Sequence, residues 1–130
     1  DIRSVLLAKV ALNAVINTLT GLHGVTNGEL LQPPLQAITE NVIKEVQNVL
    51  CAADAREIAS ALPAQVRAVC RSTGANHSSM RVDLESGKRT EIDAIVGWLL
   101  SSLTPHPPAT PLLSELYNAV RERDVRLSSA

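Results

Sequence analysis

A chain of 130 residues, 45% hydrophobic, holds enough apolar material for the core of one domain, built from Leu, Val, Ile and Ala because only Trp98 and Tyr117 are aromatic. The net charge of −1 gives no electrostatic case for binding nucleic acid or an anionic membrane surface. Cys51 and Cys70 are isolated, which argues against a metal centre or a disulfide framework and for two buried free thiols.

In chain order, helix one is expected from Ile2 to Leu22, capped by Asp1 and stopped at Gly24. Its stretch Val5 to Leu22 is apolar enough to suggest a membrane span. It carries Lys9, Asn13 and Asn17, and a central Lys alone costs about 2.5–3.5 kcal/mol on insertion, so a buried globular helix is the expectation. No basic segment precedes it, which argues against a signal peptide. After the loop 24–28, Glu29 to Gln32 form a short turn ended by Pro33-Pro34. Apolar residues at 35, 38, 42, 43, 46, 49 and 50 predict a helix from Leu35 to Ala53. Asp54 caps a short helix to Leu62, and Pro63 opens another that runs to about Thr73. Ser78 to Glu85 is a further short helix. Thr90 caps one from Glu91 to about Leu103. Thr104 to Pro111 is a Pro-rich loop, and Thr110 caps the last helix. Arg121 to Ala130 is expected to fray. No strand pattern appears, so the fold class is all-α, a bundle of about six or seven helices in a single domain.

Two polar segments interrupt this apolar pattern. Lys9, Asn13 and Asn17 recur every four residues, drifting only about 40° per step, so they stack in one row on helix one. Lys9 either snorkels to a surface or lines a cleft, where partial burial would lower its pKa toward the range of a general acid. The two amides serve either an internal hydrogen-bond network or a polar ligand. The second segment is Asn76-x-Ser78-Ser79-Met80, followed by Thr90-Glu91-Ile92-Asp93. Either serine can act as an N-cap, and a helix N-terminus also suits a carboxylate. Glu91 in a first turn is stabilised by the helix dipole, whatever else it does. His23, His77 and His106 have no partner at metal-ligand spacing, and the chain has no Gly-rich phosphate turn and no nucleophile elbow.

These segments, with Leu19-Thr20, the turn Asn27-Gly28-Glu29-Leu30, Asp83 and Gly97, resemble the helical domain of the ketopantoate reductase (2-dehydropantoate 2-reductase) family. The resemblance runs over essentially the whole chain with spacings intact. It implies a fold like the 6-phosphogluconate dehydrogenase C-terminal-like helical domain. It further implies a cytoplasmic oxidoreductase of pantothenate biosynthesis that reduces ketopantoate to pantoate with NADPH. By resemblance, Lys9 would give a proton to the ketone oxygen. Asn13, Asn17, Asn27, Asn76 and Ser79 would hold the substrate, and Glu91 would contact the cofactor. The expected partner is a small 2-oxo acid, with no nucleic acid, no membrane and no metal, and with a homodimer through the helical domain as the candidate assembly.

Three positions depart from the family pattern: Thr18 where Pro is frequent, and Val96 and Leu113 where Asn is frequent. They bear on which 2-oxo acid is used. The family's N-terminal Rossmann domain, which would bind most of the cofactor, is absent from these 130 residues, so the chain alone is expected to be inactive. The competing readings are a non-catalytic module for oligomerisation or partner binding, and a reductase of a different 2-oxo acid.

Overall fold

A computed structural model describes the backbone of residues 1–129 and the side chains of residues 1–126. Six α-helices and no strand occur among the described residues. Helix α1, Ile2–His23, begins with the Asp1 carboxylate accepting from the Arg3 N–H and ends at Gly24 in the left-handed region, φ 63°. Its second half is largely buried, with Ala11, Ala14, Val15, Ile16, Leu19 and Gly21 in the core, as for a helix that others surround on most sides, while Asn13 and Asn17 are half-buried. Helices α2 (Leu35–Ala52), α3 (Arg56–Ser72), α4 (Ser79–Glu85) and α6 (Pro111–Ser129) all pack against it.

The first two turns of α1 differ from the expectation of a wholly buried helix. Ile2, Val5 and Leu6 are exposed, and Leu6 lines an open apolar groove of about 660 Å³ with Leu7, Val10, Trp98 and Leu103. By length and composition α1 could cross a membrane, but 44% of its apolar window lies inside the molecule, and its inner half forms the core of this bundle.

Between α1 and α2 the expected turn is a 3₁₀ helix, Asn27–Leu31. Glu29 accepts from the Thr26 N–H and hydroxyl, 3.1 and 3.0 Å away. The backbone bond from Thr26 holds the Glu29 carboxyl below the usual carboxylate range.

Helix α3 corrects the sequence expectation. Residues 56–72 form one helix with Pro63 inside it, not two helices divided at Pro63. Proline has no N–H to give to the carbonyl four residues back, which belongs to Ala59. The Gln47 side chain on α2 donates to that carbonyl at 2.8 Å instead, so the helix continues without an orphaned buried group. Asp54 therefore caps nothing; it sits in the α2–α3 connection with φ 61°.

The helix expected from Glu91 to Leu103 is shorter and partly different in type. Asp93–Gly97 is a π-turn, followed by α5, Trp98–Ser101. Helix α6 starts at Pro111 as expected. Its first free N–H groups, on Leu112 and Leu113, are taken by the Glu45 carboxylate of α2 at 3.1 and 2.7 Å. The helix runs on through the segment expected to fray, where Asp124 is buried; Ala130 lies outside the described residues. Of the two thiols, Cys70 is buried as expected, while Cys51 is exposed.

Candidate functional site

Helix α1 carries Lys9, Asn13 and Asn17 on one face. Lys9 is exposed, not half-buried, and edges a shallow groove of about 320 Å³ that it shares with Leu12 and with Gln65, Ala68 and Val69 of α3. Asn13 and Asn17 are half-buried. Among the described residues, no hydrogen bond engages either side-chain amide, and no ion pair engages Lys9. The internal network that is one expectation for these amides does not form among the described residues, and their donors and acceptors are open beside an ammonium.

A second group of site candidates gathers at the far end of α1. The Asn27 N–H donates to the Asn76 carbonyl at 3.1 Å, and the Gly28 N–H to the Gly74 carbonyl at 3.0 Å. The two glycines touch: a Cβ on Gly28 would lie 3.0 Å from the Gly74 backbone. This contact ties the 3₁₀ turn to the α3–α4 connection. Asn27 is buried, its Nδ2 donating to Thr73 Oγ1 at 3.0 Å, while its Oδ1 has no partner. The two serines divide their roles. Ser78 is the buried N-cap of α4, accepting from the Arg81 N–H at 3.1 Å and hydrogen-bonded to Thr20 at 2.6 Å. Ser79 and Asn76 are exposed. Ser78 already occupies one free N–H at this helix start, which weakens the case for a carboxylate there.

Glu91 is exposed, and residues on both sides of it, Thr90 and Asp93, are tied to α6. Before it, Asp124 of α6 accepts from the Thr90 N–H at 3.1 Å and the Thr90 hydroxyl at 2.7 Å. After it, Asp93 accepts from the Tyr117 hydroxyl and pairs with Arg121 at 3.4 Å. Arg121 also lies 5.5 Å from the Tyr117 ring centroid. Burial first, then Asp93, pushes the Tyr117 phenol above its ordinary pKa and keeps it a donor. Tyr117, Arg121 and Asp124 are not among the candidates read from the sequence. Their signal was available: positions 117, 121 and 124 share one face of the last helix.

The seven site candidates thus fall into three places: the α1 row, the Asn27/Asn76/Ser79 corner, and Glu91 on the α6 side. Helix α1 packs against both the 3₁₀ turn and the π-turn, so it joins all three. Among the described residues, no contact pairs Lys9 with Glu91, and no cluster of three or more His, Cys, Asp or Glu could hold a metal. The three departures from the family pattern, Thr18, Val96 and Leu113, are all fully buried. They belong to the core, where they cannot contact a ligand of this row directly.

The family model described as "Ketopantoate reductase PanE/ApbA C terminal" matches residues 1–124. Similar proteins include the 2-dehydropantoate 2-reductase of Vibrio cholerae, 35% identical over the whole chain and 44% of that protein. Another is that of Bacillus subtilis, 37% identical over 89% of the chain and 38% of that protein. The crystal structure of a "Probable 2-dehydropantoate 2-reductase" from Bacillus subtilis superposes with a TM-score of 0.81 at 35% identity, over 95% of this chain and 41% of that one. A family member from Ralstonia eutropha JMP134 gives 0.84 at 23% identity, over 98% of this chain and 43% of that one, and supports the fold alone. The chain spans about two fifths of the length of the curated relatives it matches.

Proposed function

Since the chain belongs to the ketopantoate reductase PanE/ApbA C-terminal family, we propose that it is the helical substrate-binding domain of an NADPH-dependent 2-dehydropantoate 2-reductase. It would act beside a nucleotide-binding domain that these 130 residues do not contain. The observation that carries this reading is the α1 row: two half-buried amides without protein partners, in line with an exposed ammonium.

The chemistry follows from those groups. Asn13, Asn17, Asn76 and Ser79 offer donors and acceptors to the substrate's hydroxyls and carboxylate. Asn27 adds a buried carbonyl oxygen with no protein partner, suited to accept from a hydroxyl. Lys9 Nζ gives a proton to the ketone oxygen as hydride reaches the ketone carbon, so C=O becomes CH–OH. Exposure of Lys9 lets solvent restore that proton.

NADPH, when bound, is the source of the hydride. This chain fits one end of it, through the exposed Glu91 carboxylate, and does not fit its pyrophosphate, for which there is no Gly-rich turn. The reading carries a cytoplasmic location, and it leaves Ile2, Val5, Leu6 and Trp98 as the apolar surface for a second copy in a homodimer.

The test is NADPH oxidation by the protein that carries this domain together with its nucleotide-binding domain, given ketopantoate. Lys9→Ala is expected to lower kcat at least about 100-fold, the range for a lost general acid, with unchanged helicity by circular dichroism. A near-normal kcat would remove Lys9 from the role.

A further inference from the structure

Glu91 stands between two anchors that both come from α6. On one side the buried Asp124 carboxylate grips Thr90 through two bonds. On the other, Tyr117 and Arg121 grip Asp93. The Thr90 hydroxyl also accepts from the Ile92 N–H at 3.3 Å, and Ile92 is fully buried, so the residues on both sides of Glu91 are fixed. The backbone after Glu91 is a π-turn, a form that recurs at functional sites. Gly97 completes the arrangement. A Cβ there would lie 2.9 Å from the Tyr117 hydroxyl and 3.4 Å from Asp93 Oδ1, so glycine leaves room for the Tyr117–Asp93 bond where a side chain would push the hydroxyl aside.

We propose that the Tyr117–Arg121–Asp124 face of α6 is a positioning face for Glu91, holding its exposed carboxylate at the angle from which it meets the cofactor. None of the three touches substrate or cofactor in this reading; they act through Glu91. The proposal rests on the cofactor contact proposed above for Glu91. Two anchors on one rigid helix fix both the place and the direction of the residue between them, as supporting partners do for a ligand-binding side chain. A plain capping role would need only the Thr90–Asp124 pair.

The experiment measures NADPH dissociation constants by fluorescence titration, with thermal midpoints, on the protein that carries both domains. The variants are Glu91→Gln, Tyr117→Phe and Asp124→Asn, and each α6 variant combined with Glu91→Gln. Each single variant is expected to weaken NADPH binding about tenfold, the scale on which supporting partners act. The combinations should be no weaker than Glu91→Gln alone, because the α6 groups act through that carboxylate. Additive losses, or lowered midpoints with unchanged NADPH affinity, would overturn the positioning role and leave the Glu91 contact standing. Unchanged affinity in Glu91→Gln itself would refute that contact, and the positioning role with it. Tyr117→Phe keeps the ring and removes only the hydroxyl, so it decides the matter if Asp124→Asn does not fold.

Discussion

Two neighbouring serines show how local geometry separates a ligand group from a structural one. Ser78 Oγ is spent within the protein, on the Arg81 N–H and on Thr20. Ser79 is exposed, like Asn76. Ser78→Ala is therefore expected to cost about 1 kcal/mol of stability, as for a lost N-cap. Ser79→Ala and Asn17→Ala should instead raise KM for the 2-oxo acid, since each removes a ligand bond worth about 1–3 kcal/mol, which is roughly 5- to 150-fold. Kinetics and thermal unfolding on the same samples separate these outcomes; a lowered midpoint with unchanged KM would make Ser79 and Asn17 structural. The thiols make a similar contrast. Burial pushes Cys70 from 9.0 up to about 11. A raised pKa means the folded state holds the proton longer than the unfolded one. That contribution to stability is complete below about pH 9 and fades as the pH climbs toward 11. At neutral pH a disulfide reagent should titrate one thiol, Cys51, in the native protein and two after denaturation. Two reactive thiols in the native state would contradict the burial of Cys70.

Helix α3 and the π-turn mark where sequence pattern stops being sufficient. The capping of α1 by Asp1 and Gly24 and the start of α6 at Pro111 follow local rules, and they are found where the sequence puts them. Pro63 breaks the local rule because its remedy is not local: the Gln47 amide that takes the Ala59 carbonyl comes from another helix. The tie between Thr90 and Asp124 spans 34 positions and is equally invisible to a helical window. Gln47→Ala should leave a buried carbonyl without a donor and destabilise by about 1–3 kcal/mol. Pro63→Ala restores an N–H four residues after Ala59, so the double variant should recover most of that loss in denaturant unfolding. A double variant as unstable as Gln47→Ala alone would mean that Gln47 contributes through packing, not through the carbonyl. The candidate site was legible in its residue types and in the α1 row. The division of Ser78 from Ser79 and the α6 anchors of Glu91 were not, because both depend on how separate helices meet.

Taken as one molecule, this bundle has a contiguous core and, on the proposed reading, part of a site. Buried Leu, Val, Ile and Ala from α1, α2, α3 and α6 form one cluster with Met80, Leu84, Ile92 and Leu99. That continuity is the condition for cooperative folding of a domain of this size. Of the groups proposed to meet substrate, in contrast, Lys9, Asn76 and Ser79 lie open on the surface and Asn13 and Asn17 are half-buried, while Asn27 alone is buried. Water competes for the open ones, so their hydrogen bonds discriminate weakly until another surface covers the row. The 130-residue chain by itself is therefore expected to unfold cooperatively, with coincident transitions by circular dichroism and Trp98 fluorescence, and to oxidise no NADPH in the presence of ketopantoate. Supplying the nucleotide-binding domain in the same polypeptide should restore turnover without changing the helical signal of this part. Turnover by the 130 residues alone would mean that the catalytic groups are complete within them, and that the proposed division between a cofactor domain and a substrate domain is wrong.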